Sequence, residues 1–202
     1  NTPSKFQAYT AQATDSSILS ATAAATATAG TVSVQVDKLA QAQVLSTLGQ
    51  SGVTDAIGSG TTTTLTFQFG TITGGTLSNG TYSGATFTQD PGTSSGTVTI
   101  TNKNNSLTGI RDAINAANIG VKASIINDGS ATNGYRLVLQ ATGSGANRSM
   151  KITSSGDAAI GTLLGEDPAG TQHLTQSQLA QNASLSVNGI ALTSASNTVT
   201  GA

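Results

Sequence analysis

The sequence predicts an α+β fold that is mainly β, with small, flat cores. Three observations predict it. Several short stretches alternate apolar and polar residues: TVSVQV at 31–36, LTFQF at 65–69 and TVTIT at 97–101. Turn dipeptides punctuate the chain at Asn79-Gly80, Asp128-Gly129, Asn133-Gly134 and Asn188-Gly189. One stretch, SLTGIRDAINAANIG at 106–120, instead carries the three- and four-residue apolar spacing of a helix.

The elements follow in order. Residues 20–30, SATAAATATAG, read as an extended lead-in, because the threonines and Gly30 outweigh the helix preference of alanine. Residues 31–36 read as a half-buried strand with Val32, Val34 and Val36 on one face. Residues 39–49, LAQAQVLSTLG, fit either a short helix or a strand continued past a bulge at Asp37-Lys38. The Thr/Ser/Gly-rich stretch 58–96 reads as short antiparallel strands, with Leu65, Phe67 and Phe69 facing one way and Asn79-Gly80 at a turn. After the strand at 97–101 comes the helix. Ser106 caps it, Leu107, Ile110, Ala113, Ile114 and Ala117 form its apolar stripe, and Gly120 stops it. Arg111, Asp112 and Asn115 fall off the stripe. Strands follow at 121–126, 135–141 and 149–153, so that the helix lies as a lid on one small sheet. Residues 158–165 read as a single helical turn and 171–183, TQHLTQSQLAQNA, as a polar connector. Residues 184–193 form a hairpin about Asn188-Gly189.

Composition narrows the function. The net charge is −1 and 8% of residues are charged, so no basic patch stands ready for a phosphate backbone and nucleic acid is not an expected partner. Val, Ile, Leu and Phe together make 41 of 202 residues, which is at the edge of the disordered range, but the near-zero charge and periodic clusters favour folding. There is no Cys, so neither disulfides nor a Cys-based metal site is expected. No apolar run is long enough for a membrane-spanning helix, and NTPSKFQAYT lacks the apolar core of a signal peptide. The surface left by Thr, Ser, Gly and Gln offers no clear apolar patch.

Reactive side chains are sparse. The single histidine, His173, sits in the polar connector and reads as a solvated loop residue, because nothing around any Ser resembles a nucleophile elbow. Glu166-Asp167 is the one adjacent acid pair, and within GEDPAG it reads as a turn with Pro168 fixing φ rather than as a glycosidic pair. No calcium-loop pattern is present. GSGAN and GTITGG lack the Lys-Ser/Thr of a phosphate loop and read as turns. Tyr9, Tyr82 and Tyr135 are too scattered for a stacking platform, and Tyr135 is expected in the core. The glycosylation patterns at Asn79, Asn104, Asn147 and Asn182 are what chance yields in such a composition. No catalytic, cofactor or metal residue is expected, and the chain is expected not to be an enzyme.

Three segments, in order and spacing, resemble the bacterial flagellar filament cap family, FliD or second hook-associated proteins. They are TAGTVSVQVDKLAQAQVL at 28–45, SLTGIRDAINAANIGVKASIINDG at 106–129 with YRLVLQATGSGANRSMKIT at 135–153, and ASLSVNGIALTSASNTVT at 183–200. The stretch 58–96 lies outside the resemblance. The resemblance implies a structural cap at the distal filament tip that holds back flagellin and helps it fold into place. It implies export through the flagellar channel, which suits the missing signal peptide and cysteines. It also implies self-association into a ring, flagellin as partner and, for some members, contact with host mucin. No membrane and no cofactor are implied. The fold implied is a head of two β-rich domains: a stub of helical leg at 1–12, a discontinuous middle domain at 13–56 plus 176–202, and an inserted outer domain at 57–175 that contains the 97–153 module. The family's next strand falls beyond Ala202, which leaves a sheet edge unpaired. The rival readings are a surface adhesin or glycan-binding β-domain, and a glycan-active enzyme.

Overall fold

The computed structural model describes residues 9–200. The elements are β1 (Val34–Lys38), β2 (Val44–Ser46), β3 (Thr63–Ser78), β4 (Thr81–Gln89), β5 (Gly96–Ile100), α1 (Leu107–Ala117), β6 (Val121–Asn127), β7 (Tyr135–Ala141), β8 (Ser149–Ser155), α2 (Ala158–Leu164), β9 (Thr175–Gln178), β10 (Ala183–Val187) and β11 (Ile190–Ser194). They form three sheets: β1-β10-β11, β6-β7-β2-β9, and β4-β3-β5 with β8 on the other side of β3. Every pairing is antiparallel. Among the described residues no helix is long and apolar enough to cross a membrane. Of the leg stub expected at 1–12, residues 1–8 lie outside the described range, and 9–12 belong to no helix or strand.

One core joins two of the sheets. Leu65, Phe67 and Phe69 of β3 alternate inward with Val98 and Ile100 of β5 and Met150 and Ile152 of β8. The other sheet contributes Leu45, Val121, Ala123, Leu137 and Leu139. The four strands flanking α1 in the chain therefore do not make the single small sheet expected from local order. β5 and β8 join one sheet and β6 and β7 the other, so the helix seals a two-sheet core. Tyr135 packs against this core, as expected.

The helix matches its sequence pattern except at Ala117, expected on the apolar stripe but exposed at the helix end. The Ser106 hydroxyl accepts from the Gly109 amide at 3.2 Å, and Leu107, Ile110 and Ile114 are fully buried. The stop differs from expectation: Asn118, at φ 49 and ψ 42, supplies the left-handed cap, two residues before Gly120. Asparagine tolerates this conformation because its short amide bonds locally, here from Nδ2 to the Ala116 carbonyl. Asn115, off the stripe, has a task of its own. Its Oδ1 accepts from the Ala123 amide and its Nδ2 donates to the Ala123 carbonyl, both at 2.9 Å. The side chain stands in for a neighbouring strand on the outer edge of β6, which would otherwise present open backbone groups.

Several other expectations are corrected. The stretch 58–96 holds not short strands but one of 16 residues, β3, paired with a nine-residue β4. GTITGG lies inside β3 rather than forming a turn. Threonine is a good strand former, and a Thr-rich run needs no alternation to extend. Residues 39–49 contain strand β2 and no helix, and the register of β1 shifts between Val36 and Lys38, so the bulge alternative holds. Residues 158–165 form a seven-residue helix, longer than one turn. The polar connector 171–183 contains the edge strand β9, with Leu174 buried. Strand β2 pairs with both β7 and β9.

Asp157, unremarked in the sequence, caps α2 by accepting from the Ala159 amide at 2.9 Å. Its other oxygen receives the Ser59 amide, the Ser59 hydroxyl and the Gly60 amide. The Ser59 hydroxyl, first among these donors, holds its carboxyl below the usual carboxylate value. Asp157→Ala is expected to lower stability by about 0.5–2 kcal/mol, the range for losing a helix N-cap, as read by urea denaturation.

Candidate functional site

The acid pair was the strongest chemical candidate in the sequence, and its two members face different ways. Chain leaving α2 passes through Gly165 into Glu166, whose backbone bridges Ile152 on one side and Gln172 on the other. This fixes the Glu166 side chain inward, where it is 4% exposed and accepts from the Leu174 amide at 3.1 Å. Desolvation pushes its carboxyl up to about 7, aided by the neighbouring Asp167 charge and opposed by the Leu174 amide. Asp167 makes the turn that the sequence suggested: its carbonyl receives the Gly170 amide, its Oδ1 the Ala169 amide, and its Oδ2 pairs with Lys151 Nζ at 2.7 Å. His173 donates its backbone amide to the Gly165 carbonyl, and its half-buried ring makes no hydrogen bond to either carboxylate.

Glu166, Asp167 and His173 do line one shallow cleft of about 390 Å³. Yet the arrangement has no carboxylate-oriented base and no nucleophile within reach of one, so it lacks the geometry of acyl or glycosyl transfer. Among the described residues no group of three or more His, Asp or Glu could hold a metal ion.

The glycosylation-pattern asparagines are mostly occupied structurally. Asn79 stands in the β3–β4 turn at φ 51. Asn104 accepts from the Thr101 amide, and Asn182 accepts from the Ala146 amide. Asn147 donates to Asp90, and its Oδ1 is a buried atom without a partner.

A binding surface is better supported than a chemical one. In the sheet β1-β10-β11, Val34 opposes Val187 and Val36 opposes Leu185; Leu185 and Val187 in turn oppose Leu192 and Ile190. Directly paired residues share a face, as do alternate residues along a strand, so all six lie on one side. None of them belongs to the core: Ile190 is 68% and Val36 37% exposed, and the other four are half-buried. Val32, expected on the buried face, precedes β1 and is 56% exposed. The sequence reading of a surface without an apolar patch is thus overturned. Alternation of valines reports that a face is apolar, not that the same chain covers it. The outer edge of β11 has no strand neighbour among the described residues.

Comparison with known proteins points to one family. Residues 1–43 match the family model of the flagellar hook-associated protein 2 N-terminus. The chain is 36% identical over 199 residues to flagellar hook-associated protein 2 of Escherichia coli, covering 97% of this chain and 38% of that protein. It is 31% identical over 211 residues to the B-type flagellar hook-associated protein 2 of Pseudomonas aeruginosa, covering 98% and 39%. It thus spans about two fifths of the length of these curated relatives. The crystal structure of the D2-D3 domains of the flagellar cap protein FliD from Escherichia coli superimposes with a TM-score of 0.74 at 35% identity, covering 90% of this chain and 83% of that one.

Proposed function

Since the chain belongs to the flagellar hook-associated protein 2 family, the FliD filament cap proteins, we propose that it is head material of a cap at the distal end of a flagellar filament. There it promotes flagellin folding and polymerisation and prevents flagellin from leaking away. On this reading it is exported through the flagellar channel, works as a ring of identical copies with flagellin as its client, and is not an enzyme. The observation that carries the proposal is the likeness over most of its length to a flagellar cap protein's D2-D3 domains. The apolar face of β1-β10-β11, outside the core and partly exposed, suits a part whose work is contact rather than chemistry.

In a strain deleted for the gene, flagellin is expected to accumulate in the medium with filaments absent, and the intact gene is expected to restore them. Normal filaments and motility in the deleted strain would refute the cap reading.

The head divides best into two units at the bridge where Gln41 and Gln181 exchange backbone hydrogen bonds of 2.9 and 3.2 Å. This moves the boundary of the inserted outer unit from 57–175 to about 41–181 and leaves the β1-β10-β11 sheet as the core of the discontinuous unit. The apolar face is small. Six side chains on three short strands fall short of the about 800 Å² per partner of a standard interface. The 202-residue chain is therefore expected to sediment as a monomer at micromolar concentration. A discrete tetramer, pentamer or hexamer surviving nanomolar dilution would show instead that the head alone holds the ring.

A further inference from the structure

The β3–β4 ribbon changes character halfway along. Up to Gly70, β3 is flanked by β8, and by β5 up to Phe67; beyond Gly70 its sole strand partner is β4. Four residues on, the ribbon bends. Gly74 and Gly75 in β3 and Gly84 in β4 all have φ between 66 and 71. The register runs from Gly74↔Ala85 to Thr76↔Ser83, leaving Gly75 and Gly84 unpaired. A Cβ on Gly75 would lie 2.6 Å from both the Ala85 nitrogen and the Ser83 oxygen, so no other residue fits there.

The bent ribbon brings its tip onto the segment that leads into the other sheet. The Tyr82 amide donates to Gln172 Oε1 at 2.7 Å and Gln172 Nε2 donates to the Tyr82 carbonyl at 2.9 Å. The Gln176 amide donates to the Gly80 carbonyl at 2.8 Å, and Gln176 Nε2 donates to Tyr82 Oη at 3.2 Å. Behind this clip, Gln176 Oε1 receives Gln43 Nε2 at 2.6 Å and Gln43 Oε1 receives the Met150 amide at 2.6 Å. The sheet β6-β7-β2-β9 is thus guarded at one edge by Asn115 and at the other by this tip.

The two guards are held differently. Asn115 belongs to a helix anchored by three buried apolar side chains. The tip is held almost wholly by amide hydrogen bonds, and the last six residues of β3 are exposed. A segment with few buried apolar contacts opens at a lower free energy than the core it adjoins. We propose that residues 74–84 are a strap, which swings on the Gly74-Gly75/Gly84 bend, clips onto Gln172 and Gln176, and opens as a unit to bare the outer edge of β9 while both sheets stay folded.

Native-state amide hydrogen exchange on the 202-residue chain tests this. The Gln176 amide is expected to exchange at least tenfold faster than those of Leu65 and Phe67. Gln172→Ala is expected to speed Gln176 exchange at least a further tenfold, and Tyr82→Phe, which removes only the Oη acceptor, by a few fold. Leu65 and Phe67 should keep their rates in both variants. Equal rates for Gln176 and Phe67 in the unmodified chain would overturn the strap. So would a Gln172→Ala variant that left Gln176 unchanged, or one that sped all three amides alike.

Discussion

Replacing Ile114 by alanine is expected to cost about 2–5 kcal/mol, the range for truncating a fully buried aliphatic side chain. Ile114 is fully buried, and the helix that carries it touches β5 of one sheet and β6 and β7 of the other. A cavity there loosens the point at which the two sheets are held together, and neither sheet can close it without shifting against the other. Arg111, three residues earlier, provides the control. It pairs with the adjacent Asp112 at 2.8 Å on the exposed side of the helix, and Arg111→Ala should change stability by well under about 1 kcal/mol. Urea denaturation of the two variants side by side decides it. Comparable losses would mean that the helix is held through its outer face, contrary to the packing described.

Glu166→Gln is expected to stabilise the protein at pH 8 and to have a much smaller effect at pH 5. Burial raises the folded-state value of Glu166 from 4.5 to about 7. In that interval the folded state binds more protons than the unfolded state, so stability is greatest below about 4.5 and declines as pH rises towards 7. The full difference is on the order of 3 kcal/mol. A glutamine never ionises and retains an oxygen for the Leu174 amide, so the variant should recover roughly 1–3 kcal/mol at pH 8. Thermal melts across pH 5–8 read this directly, and parallel profiles for the two proteins would refute it. Asp128 acts in the opposite sense and elsewhere on the scale. Bonds from Ser130 and then Arg136 lower it to about 2, so its contribution is lost only as pH falls below the ordinary carboxylate range.

Both predictions rest on residues that differ in how visible they were in the sequence. The Ile114 stripe, the Ser106 cap and the Asn-Gly hairpins were legible because each depends on neighbours within a few positions. Glu166 was not, since its burial depends on bridges to Ile152, 14 residues back, and to Gln172 ahead. The glutamines of 172–181 misled for a chemical reason. As polar residues they suggest solvent, yet an amide carries both a donor and an acceptor, like the backbone. Gln172 and Gln176 clip the ribbon tip, Gln178 donates to the Ala42 carbonyl, and Gln181 to that of Leu39. A segment read as a connector is in fact a seam. The apolar face of β1-β10-β11 failed in the other direction, because its alternation was correctly seen and wrongly assumed to be covered. As for function, only the resemblance carried by the ordered motifs pointed to a filament cap; no single side chain did.

The Gln41–Gln181 bridge also bears on how such a head can change over generations. On the proposed division, chain enters and leaves the larger unit through two residues that are hydrogen-bonded to one another. Viewed from the small sheet, everything from 42 to 180 therefore occupies the place of a loop whose ends already meet. The closure entropy of such a loop grows only slowly with its length. Material can be lengthened, shortened or exchanged on the far side of that bridge while β1 and β10 keep their register. The bridge thus holds the point of attachment fixed while the length of chain beyond it is free to vary.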